Sequence, residues 1–546
     1  MIILAVLIVL GPLMNIDSLK AGFPFPEIRP SQEKALEKLA LNLEKGKRFS
    51  IFELPTGIGK SGLALSVVQA AAKEPQNLPY RSGGTILTSQ KILQQQYQNE
   101  FEHLDLMDLR GASNYTCNEH EDSTCDVGQQ LNKISGNVCT VCPYRQAKSS
   151  FMALPNGVTN FSYFLTDSAY KKEESKKLPK KKVLVIDEAH NTESCLINHS
   201  EINISSIRMG ELDVKPPNRV LQFTDIAGAK NWINTILEPA VSAMIGKLSL
   251  EMKEQGRSRR ELLPVAKKLT SYEQFIESLG VFLESESPLW FINQTEAGIN
   301  IKPLRGDVFA EELLFSRAQH IVMMSATILD PRTFTRNLGI SPKECGYMSL
   351  PSEFPVANRQ VIFAPAGSMS FKNYDDTLPK LLKRIERVLT KHENDKGIIH
   401  CNSFKLSQHI MDHFKGTPHG ARLLTHDSKN RGMVVDHHLT SPHPTVLLSP
   451  SMTEGLDLRD GLSRFQVIAK VPFPSLADPY IKTRMDLDSQ WYQWQTCLAL
   501  VQGLGRSIRS KDDFATSYIL DGDFRMLLHN SANILPEWWL ESIEFR

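Results

Sequence analysis

Residues 49–61, FSIFELPTGIGKS, constrain this chain more than any other stretch. FSIFEL is a short apolar run that predicts a buried strand. Pro55-Thr56-Gly57-Ile58-Gly59-Lys60-Ser61 predicts a phosphate-binding loop, and GLALSVVQAAA predicts a helix that starts at once. Gly57 and Gly59 permit a tight loop whose backbone N–H groups turn inward on phosphate oxygens. The helix N-terminus adds its positive dipole end. Lys60 is expected to reach the β- and γ-phosphates, and Ser61 to offer its hydroxyl to Mg²⁺. Leu54 stands where the general pattern opens with glycine.

With 546 residues there is room for two or more cored domains and for insertions. Hydrophobic residues make up 41% and charged residues 23%, an ordinary globular balance. A formal charge of +1 gives no global basic signal, so any nucleic-acid surface has to be a local groove. Residues 1–13, MIILAVLIVLGPL, are too short to span a bilayer and lack a basic n-region, and Met14 is expected to be the natural start. Eight cysteines, four of them clustered, do not make a secreted disulfide scaffold, and a cytoplasmic protein with no membrane association is expected.

RPSQ at residues 29–32 precedes a helix with apolar positions at Ala35, Leu36, Leu39, Ala40 and Leu43. The Gln32 amide suits the donor and acceptor edges of adenine, although alone it is a surface glutamine near a helix start. Residues 85–90, TILTSQ, predict a second buried strand, and the strand–helix–strand rhythm predicts a parallel sheet. Cys117, Cys125, Cys139 and Cys142 then follow as C-x7-C-x13-C-x2-C, separated by polar residues that look unable to build a core. Four thiolates on a metal centre would hold such a segment, and zinc and an iron–sulfur cluster both accept four cysteines. KKEESKKLPKKK, residues 171–182, reads as a solvated loop.

Residues 183–186, VLVI, predict a buried strand that delivers Asp187-Glu188-Ala189-His190 at its carboxyl end, where such sheets bind ligands. Asp187 can hold the Mg²⁺ shell, and Glu188 can orient and deprotonate an attacking water. Residues 191–315 read as an inserted helical domain. One stripe runs through Ile233, Ile236, Leu237, Val241, Met244, Ile245 and Leu248, with a kink at Pro239. A second runs through Leu269, Tyr272, Phe275, Ile276, Leu279 and Phe282. A strand at 321–324 ends in Ser325-Ala326-Thr327. A second α/β unit follows, with strands at 397–400, 446–449 and 467–471, and TEGLD at 453–457. A helix over 489–502 delivers QGLGRSIR, whose Arg506 and Arg509 share a face at a spacing of three and suit a γ-phosphate.

In order, RPSQ, LPTGIGKS, LTSQ, four cysteines, DEAH, SAT, IIHCNS, TEGLDL and QGLGRSIR resemble a superfamily 2 helicase of the XPD/DinG type. The resemblance runs from about residue 23 to 521. It implies an α/β fold of two RecA-like parallel-sheet domains with ATP between them. A cysteine-rich [4Fe–4S] domain at 104–150 and a helical arch-like insert at 191–315 would interrupt the first domain, whose other parts are 14–103, 151–190 and 316–350. The second domain would be 351–546. The resemblance further implies a monomeric ATP-dependent helicase moving 5′→3′ on single-stranded and forked DNA in repair, replication or recombination. Gln32 would read adenine, and Thr56, Gly57, Gly59, Lys60 and Ser61 would hold phosphate and Mg²⁺. Asp187 and Glu188 would carry hydrolysis, with Arg506 and Arg509 as trans-acting arginines. Asp457 would sit near the ribose. His190, Ser325, Thr327 and Gln502 would couple nucleotide state to DNA grip. A translocase that does not separate strands, or a non-catalytic nucleic-acid-binding protein, remains the alternative.

Overall fold

The computed structural model describes residues 14–546 except 90, 102–103, 135–138, 140, 171–172, 175–176, 218–220, 222–224, 255–257, 428, 451–457, 459 and 509. The expectation for residues 1–13 therefore lies outside the described residues. Two compact units are present. The first holds the chain up to Phe52 with Lys60–Met324 and Phe334–Met348; the second holds Glu53–Gly59, Ser325–Thr333 and Ser349–Arg546.

Along the chain come helix α1 (Pro30–Glu44), strand β1 (Phe49–Glu53), α2 (Lys60–Ala72), β2 (Arg81–Thr88) and α3 (Lys91–Glu100). They are followed by β3 (Met107–Leu109), α4 (Cys125–Ile134), α5 (Pro143–Ala153), β4 (Gly157–Asn160) and β5 (Lys181–Asp187). Next are β6 (Ile202–Ser205), α6 (Glu238–Met252), α7 (Arg259–Glu284), β7 (Trp290–Thr295), β8 (Gly298–Pro303), β9 (Ala318–Ser325) and β10 (Cys345–Ser349). The first sheet has seven strands in the order β10-β1-β9-β5-β2-β4-β3. Its β2–β4, β2–β5, β3–β4 and β5–β9 pairs are parallel. α2 is buried nearly all round, from Gly62 through Ala71, as its uniformly apolar sequence requires of a helix enclosed in a core.

The segment expected to be an inserted helical domain also carries an antiparallel sheet, β6-β8-β7. β6 alternates buried and exposed, and WFINQT and GINIKP flank a short turn, a hairpin pattern masked by the longer helical stripes around it. At Pro239 the helix does not simply kink: one π-helical turn, Ile233–Leu237, precedes α6. A proline cannot donate to the ladder, and the wider turn absorbs the missing bond. Ile233, Leu237, Val241 and Leu248 are buried, while Ile236 is exposed.

The lysine run departs from a solvated loop at its end. Lys181 and Lys182 are only 3% and 1% exposed because they open β5. The Lys181 ammonium donates to the carbonyls of Leu154 (2.7 Å) and Pro155 (3.0 Å), and Lys182 donates to Asn77 Oδ1 (2.5 Å). Burial lowers the Lys181 pKa to about 8. The polar cysteine segment also packs more than its composition predicts. Val127 and Leu131 of α4 are buried, and Gln130 of α4 donates to Glu273 of α7 at 2.6 Å.

The second sheet is built from β11 (Val361–Gly367), β12 (Gly397–His400), β13 (Leu423–Thr425), β14 (Val446–Ser449), β15 (Phe465–Ile468), β16 (Thr516–Asp521) and β17 (Ile543–Phe545). Its order is β13-β14-β12-β15-β16-β11-β17, parallel throughout. Helix α8 (Tyr374–Lys391) buries Leu381, Leu382, Ile385, Val388 and Leu389 in one core with Ile399, Leu448 and Val467. Five such side chains are worth on the order of 10 kcal/mol of transfer free energy. Helix α9 (Ser489–Leu504) completes the unit's labelled elements.

Gly83 sits where the β2–β5 register shifts, at φ +93, and a Cβ there would lie 2.0 Å from the Pro155 carbonyl oxygen. Gly83→Ala is therefore expected to destabilise the first unit by about 2 kcal/mol or more. A urea midpoint equal to that of the unmodified protein would contradict this crowding.

Candidate nucleotide site and cysteine cluster

Gly57 and Gly59 both adopt positive φ, near +90, which lets the backbone turn tightly before α2 begins at Lys60. Ser61 is the second residue of α2. Asp187 ends β5 and is 5% exposed. Its Oδ2 accepts from the Tyr97 phenol at 3.0 Å, and its Oδ1 accepts from the Glu188 N–H at 3.0 Å. Burial, with Glu188 next to it, pushes the Asp187 carboxyl up to about 6, while Lys60 and the Tyr97 hydrogen bond pull the other way. Glu188 itself lies at φ 51, ψ 48, a left-handed conformation that is costly for a side-chain-bearing residue. That turn leaves the Glu188 carboxylate half-exposed, with Oε2 3.4 Å from His190 Nδ1. Lys60, Ser61, Asp187 and Glu188 thus stand in one neighbourhood of the first unit, and His190 is bound to it.

Ser325, Thr327 and Gln502 come together in the second unit. The Ser325 hydroxyl donates to the Thr327 carbonyl and accepts from the Thr327 N–H, closing a tight turn. Gln502 of α9 donates to Thr327 Oγ1 at 2.8 Å, and Trp494 of the same helix donates to the Ile328 carbonyl at 2.7 Å. Arg506 lies in the turn just beyond α9, near enough for its charge to lower the pKa of the buried His400 further. Gln32 is 4% exposed, and its side-chain oxygen accepts from the Arg29 N–H at 2.9 Å, capping α1. Thr56 is half-buried in the loop. Asp457 and Arg509 lie outside the described residues.

Two site residues escaped the sequence reading. Tyr97 belongs to a stripe of Leu93, Tyr97 and Phe101 at helical spacing, hidden among glutamines. Glu53 is a lone carboxyl in an apolar strand. It is 2% exposed, and Oε1 accepts from the N–H groups of Ile328 (2.9 Å) and Leu329 (3.0 Å), directly after the SAT turn.

All four clustered cysteines are nearly buried, at 8% for Cys117, 1% for Cys125, 9% for Cys139 and 5% for Cys142, and none is in a disulfide. Cys125, Cys139 and Cys142 form one packed group with Ala112, Tyr115 and Tyr144. A Cβ at Gly128 would lie 2.4 Å from Cys117 Sγ, so this glycine leaves the room that the thiol needs. Burial first, and then the neighbouring Cys142 and Cys117, push the Cys125 thiol up to about 11. Among the described residues no three His, Cys, Asp or Glu side chains stand in a geometry that holds a metal ion. The donor set of four buried cysteines fits a four-cysteine centre.

The two parallel sheets with their flanking helices form an α/β fold of two RecA-like domains. Residues 385–542 match the family described as helicase C-terminal domain, and residues 25–225 match type III restriction enzyme, res subunit. The ATP-dependent DNA helicase YoaA of Escherichia coli (strain K12) is 25% identical over 222 residues, which are 39% of this chain and 34% of that protein. The protein of the same name from Haemophilus influenzae is 24% identical over 55% of this chain and 49% of its own length. The ATP-dependent DNA helicase DinG of Photobacterium profundum is 25% identical over 42% and 35%. Matches therefore span about a third to a half of these relatives' length. The fold is similar to the solved XPD helicase, with a TM-score of 0.62, 14% identity, and coverage of 96% of this chain and 100% of that one. It is also similar to S. tokodaii Xpd4, with a TM-score of 0.57, 14% identity, and coverage of 95% and 100%. In its matched stretches the chain is similar to ATP-dependent DNA helicases of the YoaA and DinG kind, and in its fold to XPD. No helix among the described residues is long and apolar enough to cross a membrane.

Glu53→Ala should release the two backbone amides it holds. A hydrogen bond to a carboxylate is worth about 1.5–3 kcal/mol, so hydrogen-exchange protection at Ile328 and Leu329 should fall about tenfold or more. Unchanged protection at both amides would show that Glu53 does not hold this segment.

Proposed function

We propose that this chain is an ATP-dependent DNA helicase that tracks 5′→3′ along single-stranded DNA and separates duplex DNA. The observation that carries the reading is the neighbourhood of Lys60, Ser61, Asp187 and Glu188: two phosphate-loop groups beside a buried and a half-exposed carboxyl. Lys60 neutralises phosphate charge, Ser61 and Asp187 hold the cation, and Glu188 orients and deprotonates water. Gln32 reads adenine, and Arg506 and Arg509 stabilise charge on the transferred phosphoryl group. Ser325, Thr327, Gln502 and His190 pass nucleotide state on to DNA grip. ATP and ADP differ in their contacts, and that difference drives movement along the strand. Stacking and backbone contacts make the grip tolerant of sequence.

Cys117, Cys125, Cys139 and Cys142 are the residues that hold an iron–sulfur cluster in this reading, and a bound cluster supplies a rigid cross-link rather than redox chemistry. Their burial and the space at Gly128 support it.

Glu188→Gln should keep ATP binding and lose about 10²–10⁴-fold in DNA-stimulated hydrolysis. Near-normal turnover in that variant would remove the catalytic assignment. Arg506→Ala should bind DNA and lose DNA-stimulated ATPase; normal hydrolysis would exclude it from the reaction. An unwinding assay on a tailed duplex decides between a helicase and a translocase that leaves strands paired. For the cysteines, anaerobically purified protein should contain iron with cluster absorbance. Cys142→Ser should lose that absorbance and lose unwinding far more than ATPase. Stoichiometric zinc without iron would replace the cluster with a zinc centre.

A further inference from the structure

The cation role proposed for Asp187 carries a geometric requirement. An ionised carboxylate only accepts hydrogen bonds, so the donors that hold it decide which of its lone pairs remain for an ion. The Tyr97 hydroxyl donates to Asp187 Oδ2 at 3.0 Å, and the Glu188 N–H donates to Oδ1 at 3.0 Å. Tyr97 is 2% exposed, so its hydroxyl bond is sheltered from water.

The ring is fixed from several directions. Its centroid lies 6.3 Å from Phe101, Phe101 lies 5.7 Å from Phe25, and Phe25 lies 5.9 Å from Phe23. Phe23 and Phe25 lie against the start of α2, where a Cβ at Gly62 would meet each ring at 3.2 Å. One turn before Tyr97, Gln94 anchors α3. It donates to the Leu109 carbonyl at 2.9 Å and accepts from Asn160 at 3.0 Å. The phenol is thereby placed between the first turn of α2 and the end of β5 by packing that involves neither Ser61 nor Asp187.

We infer that Tyr97 is a positioning residue for the nucleotide-bound cation: its hydroxyl donates to Asp187 Oδ2 and turns the carboxylate's remaining lone pairs toward the ion. This deepens the nucleotide-site reading and rests on it. The inference concerns a hydroxyl behind the ligands, which is the layer where such partners orient ligating groups.

The test is a Mg²⁺ titration of the full chain, read by binding of a fluorescent ATP analogue and by ATPase. Tyr97→Phe keeps the ring and removes the hydroxyl. Half-saturating Mg²⁺ is expected to rise about 10–100-fold. Analogue binding in EDTA should be unchanged, and kcat should largely recover at saturating Mg²⁺. Tyr272→Phe, which removes a phenol hydroxyl bonded to Glu211 and outside the nucleotide site, should leave half-saturating Mg²⁺ unchanged. The inference is overturned by a Tyr97→Phe titration that superimposes on that of the unmodified protein. Equal weakening with and without Mg²⁺, or failure of the variant to fold, would assign the hydroxyl a structural role and overturn it equally. Lys60→Ala run alongside separates the two levels. Normal analogue binding there removes the nucleotide-site reading itself, whereas lost binding there with an unaltered Tyr97→Phe titration removes only the role of Tyr97.

Discussion

A carboxyl group taken out of water at the end of a parallel strand sets the terms for this molecule. Burying the ionised form of Asp187 without partners would be prohibitive. The chain supplies them from three places: the Tyr97 phenol from α3, the Glu188 backbone N–H, and the field of Lys60 at the start of α2. Residues about ninety and more than a hundred positions away must therefore converge on one strand end. A parallel sheet does this economically, because β2 and β5 run in register from Gly84↔Val183 to Leu87↔Ile186 and release their following loops on the same edge. The left-handed Glu188 is then a local cost tolerated so that the next carboxylate turns out toward ligand.

Much of this was legible in the residues. Apolar runs bounded by glycine-rich or polar loops marked β1, β5, β9, β12 and β14 to within a few residues, because strands buried on both faces carry a continuous apolar signal. The helical stripe of α8 reads directly onto its buried face. The edge strand β3 and its neighbour β4 left no trace, since three or four residues carry no period, and Gly-Val-Thr-Asn is indistinguishable from a loop. The Lys181-Lys182 pair misled for a different reason: composition says solvent, whereas the long stems lie in the sheet and the ammonium groups find oxygen acceptors. Tyr97 and Glu53 were missed because their roles depend on partners that only the tertiary fold brings near.

The cysteine segment lies between these cases. Its four thiols announce themselves by spacing, yet its packing was underestimated. α4 buries Val127 and Leu131 and hydrogen-bonds to α7, so apolar contact and helix docking share the task of holding it. What the fold provides there is a dry pocket of sulfur, aromatic rings and one glycine-sized space. A metal arriving in such a pocket takes its ligands as thiolates and releases their protons, so binding and local ordering become a single event.

β1 lies between β9 and β10 in its sheet, and Glu53 at its end grips amides 275 residues further on. On a ribosome adding about 5–20 residues per second, β1 waits roughly ten seconds to a minute for its neighbours. During that interval a five-residue apolar strand and the helix behind it are made but unpaired. Contacts this distant in sequence close late, because loop entropy has to be overcome before they form. The phosphate loop, made early, is thus among the last segments to acquire its shape. Premature chain termination just before β9 would leave a product with most of the first unit's residues and an unfilled centre in its sheet.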